Sequence, residues 1–290
     1  MRIPYYPGCT LKTTAKNFED SAVAAARVLD MELWELPRWN CCGTVYSLAK
    51  DNLMEQLAPI RNLLRVKEQG ETEVATLCSM CYNTLKQANL LVQNDSEKRE
   101  KIRQFMDREK VEYNGEVKVF HLLELLSKKI GFEAISKKIK RPLNKLKIAP
   151  YYGCLLLRPK EVGLDDAEEP EILDKLIKAM GGETVDYPYK VECCGSYQAV
   201  NRKDVVLERT WQILSSAEKR GADAVIVSCP LCFFNLDTFQ KRVKEKYADF
   251  KEIPIFYFTQ LLAFALGIDE NLKFDLHSVD TKPVINRIGR

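Results

Sequence analysis

Val74-Ala75-Thr76-Leu77-Cys78-Ser79-Met80-Cys81 is a short apolar run that ends in a CxxC pair. Ala224-Val225-Ile226-Val227-Ser228-Cys229-Pro230-Leu231-Cys232 does the same in the second half of the chain. A brief apolar, partly β-branched run bounded by a break in pattern reads as a buried strand. Val74–Leu77 and Ala224–Val227 are therefore expected strands. Cys78 and Cys229 close them, and a helix is expected after Cys81 and after Cys232.

The same order extends outward on both sides. In the first half, Ile3–Tyr6, Glu32–Leu36 and Val117–Phe120 read as further strands. Helices are expected over residues 14–29, with Phe18, Ala22, Ala25 and Leu29 on one face, and over 50–68, with Leu53, Leu57, Ile60 and Leu64. The second half offers Lys147–Tyr151, Glu183–Asp186 and Ile255–Phe258 as its other strands. Strand–helix alternation predicts an α/β fold with small, mainly parallel sheets. Such sheets bind ligands beyond the carboxyl ends of their strands. The expected architecture is two tandem, pseudo-twofold related Rossmann-like domains, 1–145 and 146–290. The boundary should fall near Phe132–Lys147, a stretch with Lys137, Lys138, Lys140, Arg141, Lys145 and Lys147 and with Pro142 as a breaker. Those charges read as a solvated linker face or as a docking surface for an anionic partner.

The cysteines carry the repeat. The chain has ten of them against two histidines. Cys9 matches Cys154, Cys41-Cys42-Gly43 matches Cys193-Cys194-Gly195, and the two CxxC pairs match. The first half places 31 residues between the lone cysteine and the pair, and the second places 38. Pro4-Tyr5-Tyr6-Pro7-Gly8-Cys9 is echoed by Pro150-Tyr151-Tyr152-Gly153-Cys154. Matched halves of this length read as duplicated domains and not as solenoid units.

Composition limits the function. The N-terminus lacks the apolar core of a secretory signal. The longest apolar stretch, Phe256 to Ile268, contains Thr259 and Gln260 and is too short to span a bilayer. The expected compartment is the reducing cytoplasm, where thiols serve as metal or redox ligands sooner than as structural disulfides. The net charge of +3 and the absence of basic runs interleaved with aromatics give no nucleic-acid interface. There is no GxGxxG fingerprint and no P-loop.

Five thiols per half exceed what one zinc ion or an ordinary four-cysteine cubane needs. Thioredoxin-like exchange explains CxxC but leaves the other three cysteines of each half unused. Two consecutive thiolates reach one cofactor only where the chain turns, and Gly43 and Gly195 can supply that turn. Their sulfurs sit more comfortably on two irons than on one small ion. The residues favour an iron–sulfur cluster that is not a simple cube, with zinc in one half as the alternative.

The pattern C-x(31)-CCG-x(34)-CxxC, followed by C-x(38)-CCG-x(33)-CxxC, resembles the tandem CCG cysteine-rich domain family over the whole chain. Within it, the chain resembles the B subunits of archaeal heterodisulfide reductases. The resemblance implies an oxidoreductase of methanogenesis that reduces the disulfide of coenzyme M and coenzyme B to two thiols. It implies two non-cubane [4Fe–4S] clusters, one held by Cys9, Cys41, Cys42, Cys78 and Cys81, the other by Cys154, Cys193, Cys194, Cys229 and Cys232. The disulfide would lie between them. The implied partners are the ferredoxin-like and the flavin-bearing subunits of heterodisulfide reductase, with a hydrogenase or formate dehydrogenase in an electron-bifurcating complex. No direct membrane insertion is implied. Iron–sulfur subunits of glycolate or lactate oxidases and of fumarate reductases also carry CCG domains and form the alternative, with a structural zinc protein as the other.

An anionic substrate would need cations and hydroxyls near the cysteines. The candidates are Lys12, Arg38, Arg158, Lys190, Tyr6 and Tyr152. His121 aligns with Tyr257 in the repeat, so it and His277 read as structural. Trp34, Trp39 and Trp211 read as packing residues.

Overall fold

The computed structural model describes residues 1–44 and 53–288. The first half forms a parallel four-stranded sheet in the order β2-β1-β3-β4. Its strands are β1 (Arg2–Tyr6), β2 (Glu32–Glu35), β3 (Glu73–Thr76) and β4 (Lys118–His121). The second half repeats this as β6-β5-β7-β8, also parallel, with β5 (Lys147–Pro150), β6 (Glu183–Thr184), β7 (Ala224–Val227) and β8 (Ile255–Tyr257). The expected strands thus all form, with ends moved by one or two residues.

Helices join the strands. They are α1 (Lys16–Val28), α2 (Leu53–Glu68), α3 (Ser79–Asn94) and α4 (Ser96–Phe105) in the first sheet's connections. The opening of the expected 50–68 helix lies outside the described residues. After β4 come α5 (Leu122–Leu125), a π-helical turn Leu126–Ile130, and α6 (Phe132–Lys138). The second half has α7 (Ile172–Ala179), α8 (Lys203–Lys219), α9 (Pro230–Phe233) with a π-helical turn Phe234–Thr238, α10 (Gln240–Lys246) and α11 (Phe258–Ala265). Helix α1 buries Phe18, Ala22, Ala25 and Ala26. Strand β7 is buried along its whole length, as befits a parallel strand covered on both faces.

The halves meet in a self-complementary way. Helix α1 of the first half packs on α11, which follows the fourth strand of the second. In turn α7, the counterpart of α1, packs on α6, which follows the fourth strand of the first. Phe18 stacks on Tyr257 with ring centroids 4.2 Å apart, and Ser21 Oγ lies 2.7 Å from Thr259 Oγ1. At the centre Ser79 donates its backbone N–H and its hydroxyl to the Ser228 carbonyl, at 3.2 and 3.0 Å. Each half offers the same patch to the other, which is the signature of a twofold relation.

The basic stretch between the halves is not simply solvated. Ile135 is buried in α6, Lys138 donates to the Val28 carbonyl and pairs with Asp30, and Arg141 pairs with Asp269.

Candidate functional site

Three loops bring five cysteines to the carboxyl end of each sheet. The first leaves β1 or β5 through a glycine of positive φ, Gly8 at 71° and Gly153 at 65°. A Cβ on Gly8 would lie 2.9 Å from Cys81 Sγ, and one on Gly153 would lie 3.4 Å from Cys232 Sγ. These positions bring backbone close to sulfur, and a side chain would fill that space. The second loop carries the adjacent pair and turns at Gly43 (φ 72°) and Gly195 (φ 77°), as expected. The third is the start of the CxxC helix. Here the expected boundary needs correction: the helices begin at Ser79 and Pro230, with Cys78 and Cys229 at the N-cap. Cys81 and Cys232 therefore occupy the first helical turn, where partial positive charge gathers.

A tyrosine ties the first two loops together. Tyr6 donates its hydroxyl to the Asn40 carbonyl at 2.9 Å, just before Cys41. Tyr151 does the same to Glu192, just before Cys193, at 2.6 Å. Tyr151, not the candidate Tyr152, is thus the counterpart of Tyr6. Tyr152 donates instead to Asp174 at 2.6 Å, at the first turn of α7. Aligning outward without a gap from Cys9 and Cys154 pairs Gly8 with Gly153, Pro7 with Tyr152 and Tyr6 with Tyr151, so the sequence already held this signal.

The ten thiols form one continuous line. Cys9 Sγ lies 3.8 Å from Cys41 Sγ, Cys41 hydrogen bonds to Cys42, and Cys42 lies 3.7 Å from Cys81. Cys81 adjoins Cys78, and Cys78 crosses the interface to Cys229. Cys229 adjoins Cys232, which lies 3.5 Å from Cys194. Cys194 adjoins Cys193, and Cys193 adjoins Cys154. All ten are free thiols; Cys9 and Cys41 at one end are exposed, and the six sulfurs in the middle of the line belong to buried residues. Among the described residues no three His, Cys, Asp or Glu side chains converge on one point as ligands of a single ion would.

Thiol donors within this line stabilise thiolates. The hydrogen bond from Cys41, and then that from Cys81, hold Cys42 well below the usual thiol range. Cys232 and then Cys78 do so for Cys229. Cys154 and then Cys194 do so for Cys193, whose sulfur also accepts the Gly195 N–H at 3.3 Å. Side-chain hydrogen bonds between neighbouring thiols push those of Cys41, Cys78, Cys81, Cys154, Cys194 and Cys232 up, so the line favours negative charge on Cys42, Cys229 and Cys193 and not on all of its sulfurs.

The candidate cations are all paired. Lys12 pairs with Glu19 at 2.6 Å and with Glu35. Arg38 pairs with Glu68, and Lys190 pairs with Asp186 at 2.7 Å. Arg158 pairs with Glu168 and donates to the Val191 and Ala167 carbonyls. Each is engaged with a carboxylate of its own neighbourhood.

Side chains outside the candidate set do border the sulfurs. His121 is fully buried beside the Leu77 carbonyl and Cys229, and burial lowers its pKa to about 4, so the ring is neutral. Its Nδ1 accepts the Leu123 N–H at 3.2 Å, which leaves the proton on Nε2, and Nε2 has no hydrogen-bond partner. Tyr257, its counterpart, is buried near Cys229, Cys78 and Cys232. Tyr197, just past the second glycine, lies near four thiols of the second half and stays partly exposed. His277 bonds with Gln260 at 2.9 Å. Trp39 packs edge-on against Tyr6, Trp211 stacks on Tyr247, and Trp34 lies under Arg2.

Residues 3–86 and 148–237 both match the model of the CCG cysteine-rich domain. The chain belongs to the CCG cysteine-rich domain family. A CCG relative, the membrane anchor protein of the 8-methylmenaquinol:fumarate reductase of Wolinella succinogenes, is 32% identical over 91% of this chain and 92% of its own. The B subunit of the ferredoxin/F420H2-dependent CoB–CoM heterodisulfide reductase of Methanosarcina acetivorans is 30% identical over 92% of this chain and 89% of its own. Among solved structures, a hypothetical protein from Helicobacter pylori shares the fold with a TM-score of 0.75 at 14% identity, over 95% of this chain. This chain spans about half of that one, 51%. Among the described residues no helix is long and apolar enough to cross a membrane.

Proposed function

We propose that this protein is the disulfide-cleaving subunit of a heterodisulfide reductase, an oxidoreductase that converts the disulfide of coenzyme M and coenzyme B to two thiols. One observation carries the reading: two complete five-thiol sets run into each other at Cys78 and Cys229. The relative named as a heterodisulfide reductase component supports it at 30% identity.

The donor set fits iron–sulfur chemistry. All ten donors are soft sulfur. Gly8 and Gly153 leave space beside Cys81 and Cys232. One non-cubane [4Fe–4S] cluster per half, held by Cys9, Cys41, Cys42, Cys78 and Cys81 and by Cys154, Cys193, Cys194, Cys229 and Cys232, would supply one electron each. Cleaving one disulfide consumes two electrons and two protons and releases two thiols. The chain's own part is to hold the two sets edge to edge and to dry the middle of the line. Tyr6 and Tyr151 fix the loops of the outer cysteines. The reading includes a ferredoxin-like and a flavin-bearing partner, a hydrogenase or formate dehydrogenase behind them, and a reducing, cytoplasmic setting.

A second reading has an observation of its own. The fumarate reductase relative is 32% identical, which supports an electron-transfer protein that passes electrons on without cleaving a disulfide. Anaerobic reconstitution separates the readings. The first expects about eight irons and eight sulfides per chain, reduction of the heterodisulfide by reduced viologen, and a new paramagnetic signal on adding either coenzyme thiol. Two clusters with neither turnover nor signal would favour electron transfer. Zinc in either half would remove the two-cluster reaction.

A further inference from the structure

The pseudo-twofold relation breaks at the CxxC helices. In the first half the CxxC helix is covered. Asn83, two residues past Cys81, is fully buried. It donates to the Leu155 and Arg158 carbonyls of the other half, each at 2.7 Å. One turn on, Lys86 donates to the Val162 carbonyl at 3.3 Å. The covering loop belongs to the stretch between Cys154 and Cys193, the longer of the two, 38 residues against 31.

In the second half the C-terminal segment covers one side of the CxxC helix, with Ser278 donating to Asp237 and His277 against Phe233, but among the described residues no loop covers it at Phe234. Phe234, the counterpart of Asn83, is 46% exposed, and Val200 is 84% exposed. With Phe239 they line a groove of about 630 Å³, rimmed by Lys203, Lys241 and Arg242 and by one carboxylate, Glu245. Among the described residues none of these three cations makes a salt bridge; Arg242 lies over the Phe239 ring at 5.6 Å. The groove opens within two residues of Cys232. Exposed aromatic and aliphatic surface with three cations against one carboxylate at its rim is the anatomy of a transient protein interface with an acidic partner.

We infer that this groove is the docking face for an acidic one-electron carrier protein, whose apolar centre takes the place that the 155–162 loop takes in the first half. The inference rests on the function proposed above. At each encounter the reduced carrier is oxidised by one electron, and the centre held by the second-half cysteines is reduced by one. Two encounters supply the two electrons for one disulfide. Contact at Phe234 brings the carrier to the helix that carries Cys232, and the cations steer it.

The test uses the reconstituted full chain and, as probe, a purified acidic two-[4Fe–4S] ferredoxin reduced beforehand. Stopped-flow bleaching gives the bimolecular rate constant. The wild type should be reduced at a rate that falls steeply with added salt. The double variant Val200→Glu, Phe234→Glu should lose at least tenfold in rate. Lys241→Glu with Arg242→Glu should lose a similar factor and most of the salt dependence. Reduction by dithionite should be unchanged in both, because the sites lie on the surface. Equal ferredoxin rates in wild type and variants, or no transfer from ferredoxin to a wild type that dithionite does reduce, would overturn the docking face. A loaded wild type that dithionite fails to reduce would overturn the proposed function itself.

Discussion

The first half hides its CxxC helix under a loop of its partner half at Asn83; the second leaves the equivalent helix open at Phe234. Closer to the sulfurs the two agree: the strand order, the positive-φ glycines, the tyrosine tied to the residue before the cysteine pair. Duplication has kept the cysteine frame and released its surroundings. A residue shared by both halves therefore speaks of the chemistry, and a residue found in one speaks of access or partners.

The strongest way to break this comparison is to remove a thiol from each half in turn. Cys42→Ala and Cys194→Ala each interrupt the line of sulfurs at a buried point. Both should lose disulfide reduction to background while far-UV circular dichroism stays near native. A variant that keeps activity would show that the halves are not chemically equivalent.

A subtler comparison sets Gly8 against Gly153. Alanine costs about 1–2 kcal/mol at a left-handed position, so both variants should be less stable. Only Gly8→Ala also drives a methyl into a sulfur, at 2.9 Å against 3.4 Å. It should lose more bound iron on reconstitution than Gly153→Ala, as iron analysis will read.

The loop that covers the first half can be loosened alone. Asn83→Ala leaves two buried carbonyls without their donor and should destabilise by about 1–3 kcal/mol in urea titration. Phe234→Asn, at the matching exposed position, should change stability by less than about 0.5 kcal/mol.

Acid should distinguish the halves most gently. Arg65 holds Glu109 below its usual carboxyl range, aided by Arg61, with Arg65–Glu109 contacts of 2.6 and 2.8 Å. A carboxylate with a depressed folded pKa contributes stability that is full above its unfolded value, about 4.3, and is lost as pH falls through the lower folded value. Hydrogen exchange should show the α2 and α4 region of the first half opening before the second-half sheet as pH drops below about 4.

The strands and the two five-cysteine groups are legible in the sequence because each rests on a local pattern. Val225-Ile226-Val227 needs no partner to read as a buried strand, and CCG repeats in plain text. The substrate cations are not legible. Charge on Lys12 or Lys190 says nothing about direction, and each turns to a nearby carboxylate. Tyr151 and Tyr152 look alike as neighbours until register decides between them. Asn83 and His121 carry no local mark. Their significance comes from a carbonyl or thiol of the other half, contacts between residues far apart in the chain. The CxxC helices start earlier than expected because Cys78 and Cys229 take extended, capping backbone geometry.

Ser79 bonded to Ser228, and α1 and α7 each seated on the opposite half, have a consequence for the molecule's history. Such a surface is what a single-domain ancestor would present to another copy of itself. In that form the contact between Cys78 and Cys229 would have depended on protein concentration, and any change to one loop would have appeared twice. Joining the copies in one chain makes the contact independent of dilution. It also let one copy lengthen its loop over its neighbour while the other kept an open door.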